Sequence, residues 1–150
     1  MKILDACCGS RMFWYYKQEP HTTYMDMRKS YEQLADGHII DVNPDVQGDF
    51  RDMDFEDNTF DLVVFDPPHL IYAGKTSWLA KKYGVLPNTW QTTLLRGFDE
   101  CRRVLKQNGV LIMKWNEDQI KTTEMLKAIA ARPIFGDRRS KTRWLVFLKE

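Results

Sequence analysis

Asp66, Pro67, Pro68 and His69 follow directly on the apolar run Leu62-Val63-Val64-Phe65, and here the chain concentrates groups that could do chemistry. Asp66 carries two acceptor oxygens. Pro67 and Pro68 cannot donate to a sheet ladder, so their carbonyls are left as further acceptors. An acid ahead of a proline is also held in an extended backbone. A rigid acceptor cluster beside an aromatic ring suits a planar substrate that bears an NH₂ group. A proline turn that merely ends a strand accounts for the same four residues, and short motifs do match by chance.

Three more acids are spaced to serve a small ligand. Asp5 lies near the end of a first apolar segment, residues 2–8, just ahead of the turn Cys8-Gly9-Ser10. Gly9 lets a ligand approach the backbone closely. One glycine is not the three-glycine fingerprint that cradles a pyrophosphate, so a ligand without phosphates fits better. Asp26 ends a second short segment, residues 22–26, about as far beyond the glycine turn as the ribose-binding acid of nucleotide-binding βαβ units. It would bind two ribose hydroxyls, or else be an exposed acid beside Arg28. Asp49-Phe50 pairs an acceptor with a ring, which suits an adenine amine and its face. An acidic solvated loop with one buried Phe reads equally well.

The elements that must position these residues follow from periodicity. Residues 60–65 lack alternation, as in a strand covered on both faces of a parallel sheet, and open α/β sheets bind ligands at the carboxyl ends of such strands. Residues 12–16 suggest a helical turn after the first strand. The segment 29–46 finds no place in the sheet: residues 31–34 suit a helical turn, Asp36-Gly37 a turn and residues 38–42 a short extra strand. Residues 70–88 form a long connection carrying Tyr72, Lys75, Trp78, Lys81, Lys82 and Tyr83. Basic and aromatic residues interleave there as on surfaces that track a nucleic-acid backbone; a helix over 76–83 that buries its rings is the plainer reading.

Leu94, Leu95, Phe98, Cys101, Val104 and Leu105 recur at helical spacing and predict a helix over 91–106, with Asn108-Gly109 as its stop. A buried strand is expected over 110–115. Asn116 with Gln119 has capping-box spacing for a helix carrying Ile120, Met125, Leu126, Ile129 and Ala130. Residues 134–135 and 144–148 read as a closing pair of strands joined by the basic stretch 137–143.

The whole chain bounds these readings. With 150 residues, 43% hydrophobic and 29% charged, it is expected to be a single ordinary globular domain, residues 1–150. A formal charge of +1 gives no global argument for nucleic acid, so that case rests on local clustering. Cys7, Cys8 and Cys101 lack metal-type spacing, which points to a reduced, cytoplasmic setting and no metal. No leader and no membrane-spanning run is expected.

Taken in order, Ile3-Leu4-Asp5-Ala6-Cys7-Cys8-Gly9, Asp26, Asp49-Phe50 and Asp66-Pro67-Pro68-His69 resemble the class I S-adenosylmethionine-dependent methyltransferases. More narrowly, they resemble the amino-methyltransferases, whose signature is Asp or Asn, two prolines and an aromatic, and the small DNA methyltransferases of phages and prophages. The resemblance implies a Rossmann-like α/β fold: a seven-stranded sheet, mostly parallel with one reversed strand, and helices on both faces. It implies S-adenosyl-L-methionine as cofactor, with its methionine moiety against Asp5, Ala6, Cys7, Cys8 and Gly9, its ribose on Asp26 beside Met27, and its adenine near Asp49 and Phe50. Asp66 and the Pro67 carbonyl would hold the target amine, and Pro68 and His69 would flank the base.

Two departures from the family stand out. His69 occupies the place usual for Tyr, Phe or Trp, and no separate target-recognition domain is expected.

In that topology the basic loop lies on the active-site edge, so Lys114, Trp115, Arg138, Arg139, Lys141 and Arg143 would meet the substrate. The expected activity is methylation of an exocyclic nucleobase amine, with adenine N6 in DNA first. An RNA base, a protein glutamine or a small molecule is the alternative acceptor, and a cofactor-binding module without turnover is the alternative class. The expected partner is nucleic acid, DNA before RNA, with no membrane and an open oligomeric state.

Overall fold

The computed structural model describes residues 1–74 and 77–150. Lys75 and Thr76, part of the basic-aromatic connection, lie outside the described residues. The strands are β1 (Ile3–Asp5), β2 (Thr22–Asp26), β3 (Ser30–Gln33), β4 (Ile39–Val42), β5 (Val46–Gln47), β6 (Phe60–Phe65), β7 (Leu105–Asn116), β8 (Phe135–Gly136) and β9 (Thr142–Leu148). The helices are α1 (Trp78–Tyr83), α2 (Trp90–Val104) and α3 (Thr122–Ile129).

Seven strands form one sheet in the order β5-β2-β1-β6-β7-β9-β8. The pairs around β1, β2, β5, β6 and β7 are parallel, whereas β9 runs antiparallel to both its neighbours. The expected mostly parallel sheet with one reversed strand is therefore present. Its parallel strands end together at Asp5, Asp26 and Phe65, which brings the candidate acids to one edge.

Alternation along β7 shows how the layers are built. Leu111, Met113 and Trp115 are buried and face α2 and α3, with Leu145 and Phe147 beside them. On α2, Leu94, Phe98, Cys101 and Val104 fall on one stripe and are essentially inaccessible, and Phe98 meets Phe147 edge-on at 5.0 Å. Each such large apolar side chain contributes about 1.5–3 kcal/mol by burial. Lys114 and its cross-strand partner Trp144 point to the opposite face. There Phe13 packs edge-on against Trp144 at 5.1 Å, and Trp14 against Tyr24 at 5.1 Å.

Several expectations are corrected. Residues 12–16 form turns and no helix: Arg11 takes a left-handed φ of 58°, and the rings that follow go to different neighbours instead of one helical stripe. The first strand ends at Asp5, because Ala6 N–H donates to Val64 O while Cys8 N–H crosses to Met25 O. Residues 31–33 are extended in a β3–β4 hairpin that forms its own two-stranded sheet, and Leu34 N–H closes its turn by donating to His38 O. Helix α2 ends at Val104, and Leu105 already pairs with Phe60 in the sheet. Asn108, at φ 63°, and Gly109 lie inside β7, where the register shifts between Phe60 and Leu62.

The helix near residue 78 exists, but it buries none of its residues and leaves Trp78 54% exposed. Asn116 is no helix cap: its Oδ1 accepts from Asp118 N–H, and α3 starts later with Thr122 N–H and Oγ1 donating to Glu117 Oε2. Among the described residues no helix is long and apolar enough to cross a membrane, and no group of three or more His, Cys, Asp or Glu could hold a metal.

Candidate active site

At the carboxyl edge of the sheet, the turn after β1, the end of β2, Phe50 and the residues after β6 converge on a cavity of about 250 Å³. Ala6, Cys7, Cys8, Gly9, Asp26, Met27, Phe50, Asp66, Pro67, Pro68 and His69 all line it. Ligand pockets usually begin near 300 Å³. This one is slightly smaller, and the end of α1 and the residues after it, Lys82, Tyr83, Gly84 and Val85, form part of its wall. Gly84, at φ 75°, permits that approach; a Cβ there would stand 3.3 Å from Pro68 Cγ.

Asp66 is the reactive-looking group. Burial pushes its carboxyl up to about 6, against the opposing pull of Lys114, whose Nζ lies 3.5 Å from Asp66 Oδ2. Lys114 is held over two rings, 5.2 Å from the centroid of Phe13 and 5.8 Å from that of Trp144. At neutral pH Asp66 is therefore an ionised acceptor of unusual basicity. His69 stands 5.3 Å from Tyr83, ring to ring, with its pKa lowered by burial and then by Lys114. It is neutral at pH 7 and presents an uncharged face.

Asp26 sits in the wall with both oxygens engaged. Oδ2 accepts from Gly9 N–H at 2.9 Å, and Oδ1 accepts from Arg28 N–H and Nε. Arg28 also donates through NH1 to Lys81 O, tying the acid to α1. Oδ2 keeps one lone pair that can still accept, whereas Oδ1 already takes two donors from Arg28. Gly9 itself takes φ 49°, a left-handed conformation in which a side chain would be strained.

Asp5 does not line the cavity. It is fully buried behind the turn, where Oδ1 accepts from Cys7 N–H and Oδ2 from Trp14 Nε1 at 2.7 Å. Burial raises its carboxyl to about 7, the two hydrogen bonds opposing and the charges of Asp66 and Asp26 adding to the rise. Asp49 is likewise drawn away from the cavity: Arg51 holds it through Nε and NH2. Phe50 remains in the wall, edge-on to Phe65 at 5.3 Å. Burial drives the Cys7 thiol far above its ordinary range and the Cys8 thiol to about 12, so neither is a thiolate nucleophile.

The expected substrate residues divide. Trp115 is a correction: it is fully buried, donates Nε1 to Ile120 O at 3.0 Å, and supports His69 from below instead of meeting a ligand. The register Asn116↔Thr142 brings the loop 137–143 to the carboxyl edge, as the topology required. Much of its charge is answered locally, however, by ion pairs of Lys141 with Asp118 and Arg143 with Glu117. Arg138 and Arg139 make no ion pair among the described residues.

Residues beyond the sequence reading also build the site. Arg28, Phe13 and the end of α1 carried no motif, and only the interleaved basic and aromatic residues signalled the last. Gln119 pins the chain after His69, Oε1 accepting from Ile71 and Tyr72 N–H while Nε2 donates to Tyr72 O.

No protein-family model and no curated protein matches the chain. Solved structures do match it. The PH0226 protein from Pyrococcus horikoshii aligns over 99% of this chain and 82% of its own, at 17% identity and a TM-score of 0.60. A SAM-dependent methyltransferase from Leishmania major aligns over 99% and 64%, at 16% identity and 0.56. The 1,6-didemethyltoxoflavin-N1-methyltransferase of Burkholderia thailandensis, solved with bound 1,6-didemethyltoxoflavin and S-adenosylhomocysteine, aligns over 98% and 70%, at 15% identity and 0.55. The chain has the fold of the class I S-adenosylmethionine-dependent methyltransferases.

Proposed function

We propose that this protein is an S-adenosylmethionine-dependent methyltransferase whose acceptor is an exocyclic amine of a nucleobase, adenine N6 in DNA first and an RNA base next. The observation that carries the reading is the single cavity in which a glycine turn, an acid, an aromatic ring and the Asp66 to His69 cluster stand together.

The donor set suits the cofactor. Asp26 can accept one hydroxyl of a ribose diol on Oδ2 and the other on Oδ1 in exchange for an Arg28 donor, the Arg28 guanidinium beside it can meet a carboxylate, and Phe50 offers a ring to adenine. Bound there, S-adenosylmethionine would supply an electrophilic methyl group on its sulfonium.

The chain's own residues would do the rest by orientation. An exocyclic base nitrogen is a poor nucleophile because its lone pair is delocalised into the ring. Accepting its two N–H groups on the Asp66 carboxylate and the Pro67 carbonyl localises that lone pair and aims it at the methyl group. As the nitrogen becomes cationic it must shed a proton. Asp66, with a carboxyl raised to about 6, is a better acceptor for that proton than an ordinary carboxylate. Lys114 keeps Asp66 ionised beforehand, and His69, neutral, lies against the base. A base in a duplex would first be flipped out at a cost of a few kcal/mol.

A second acceptor, a small heteroaromatic amine, is favoured by one observation: His69 presents a smaller ring than the Tyr, Phe or Trp of nucleobase-stacking sites. The test is transfer of labelled methyl from S-adenosylmethionine to DNA, RNA, protein and small-molecule fractions, with nucleoside mass spectrometry. Label in a nucleic acid that disappears in Asp66→Ala supports the reading; label confined to another fraction replaces the acceptor. Cofactor binding with no label anywhere refutes turnover.

A further inference from the structure

We propose that the groove between residues 10–18, the β3–β4 hairpin and α1 is the track of a single-stranded polynucleotide whose target base turns into the neighbouring cavity. This deepens the proposed function and rests on it. The groove measures about 1290 Å³, above the ~300–1,000 Å³ of ordinary small-molecule sites. It shares Ser10, Met12 and Lys82 with the smaller cavity, so a strand lying in it would have a direct way for one base to reach Asp66.

The lining has the chemistry of a strand track. Arg11, Lys17, Lys81 and Lys82 share the lining with two carboxylates, Asp36 and Asp41. Arg11 is spent on the carbonyls of Lys17 and Asn43 and on Asp45, 3.7 Å away, and Lys81 on Glu32. Lys17 and Lys82 have no carboxylate partner among the described residues. Trp78 is half exposed at the groove, with Lys82 Nζ 5.6 Å from its ring centroid. An aromatic face with a cation beside it is the platform on which unpaired bases stack without regard to sequence.

Two features of the fold agree. Helix α1 buries no residue, so its side chains are not committed to a core. The hairpin belongs to a sheet of its own and serves as the far wall. By contrast, the loop 137–143 is partly neutralised by Asp118 and Glu117.

The experiment uses the full chain and fluorescein-labelled oligonucleotides of about 12 nucleotides, single-stranded DNA and RNA in separate arms, read by anisotropy across a salt series. Trp78→Ala is expected to weaken binding about five- to hundredfold. Lys17→Glu is expected to lower the slope of log K against log salt by at least about 0.7. Calorimetric S-adenosylmethionine affinity should stay within about twofold in both variants, since neither residue lines the cofactor cavity.

The track is overturned if wild type binds neither oligonucleotide, if both variants bind as wild type does, or if only an Arg138→Ala/Arg139→Ala variant loses affinity. It is equally overturned if an acidic peptide outcompetes the strand. Methyl transfer to a small amine without strand affinity would remove the track and leave the transferase. Strand affinity that depends on Trp78, without cofactor binding, would do the reverse.

Discussion

Replacing Asp5 by asparagine separates two roles that the sequence alone would merge: contact with the cofactor and support of the turn that holds it. The Asp5 carboxyl titrates near 7 in the fold against 3.8 as a free group. Below about pH 4 both folded and unfolded chains carry the proton, and Asp5 imposes no cost. As pH rises the unfolded chain releases its proton while the folded one keeps it, so stability falls by about 1.4 kcal/mol per pH unit. The fall ends once the folded carboxyl ionises near 7, by which point the cost is roughly 4 kcal/mol. Between pH 5 and pH 8 this group alone should remove about 2–3 kcal/mol.

The substituted amide has no such titration, but it has one acceptor oxygen in place of two. One of the hydrogen bonds from Cys7 N–H and Trp14 Nε1 is lost, at about 1–3 kcal/mol and independently of pH. At pH 5 the cost that Asp5 already imposes, about 1.5 kcal/mol, roughly offsets that loss. Asp5→Asn should therefore lie within about 1–2 kcal/mol of wild type there, and should gain roughly 2–3 kcal/mol more relative to it by pH 8. Urea denaturation at each pH reads this difference, and calorimetry at pH 8 should find S-adenosylmethionine affinity changed less than about fivefold, under ~1 kcal/mol. Parallel stability curves for the two proteins would refute the reasoning. So would a collapse of affinity with stability unchanged, since Asp5 would then touch the cofactor itself.

Other outcomes follow from neighbouring contacts. Methyl transfer should fall about tenfold per pH unit below pH ~6 as Asp66 takes up its proton, and Lys114→Met, which removes the charge opposing burial, should move that limb upward in a pH–rate profile. The same profile should carry no His69 inflection above pH 7, because its pKa is lowered. At Gly97 a Cβ would stand 2.6 Å from Phe50 Cε2 and 2.9 Å from Phe65 Cζ, so Gly97→Ala should cost about 1–3 kcal/mol and weaken cofactor binding by displacing Phe50, read by melting and calorimetry. Gln119→Ala removes the acceptor for Ile71 and Tyr72 N–H; hydrogen exchange at those two amides should quicken while the amides of β6 keep their protection.

Where the sequence was legible, one physical signal dominated. Residues 60–65 are an unbroken apolar run stopped by prolines, and both the strand and the position of Asp66 at its end follow from that. Helix α2 was readable from its stripe, yet its end was not. Asn108-Gly109 is a local breaker, but pairing of Leu105 with Phe60 ends the helix earlier and turns the same dipeptide into an irregularity inside β7.

Residues 12–16 misled because a continuous aromatic run carries no period. Its rings are sorted only by tertiary partners, Phe13 to Trp144 and Trp14 to Tyr24 and Asp5. In the site, Asp26 and Phe50 stand in the wall, but Asp5 and Asp49 carry the same signal in the sequence as Asp26, an acid closing a short extended segment. What separates them is a donor next door, Trp14 for one and Arg51 for the other.

Arg28 has a wider reach than its size suggests. One part of its guanidinium holds Asp26 at 3.2 Å, and another donates to Lys81 O at 2.9 Å. Whatever engages Asp26 competes for the first contact and so alters the second, and whatever shifts α1 acts back on Asp26. The contents of the cavity and the position of α1 are thus coupled through a single side chain. Such coupling is reciprocal: if an occupant of the groove tightens the cavity by some factor, an occupant of the cavity tightens the groove by the same factor. In so short a chain, one guanidinium can make two binding events depend on each other.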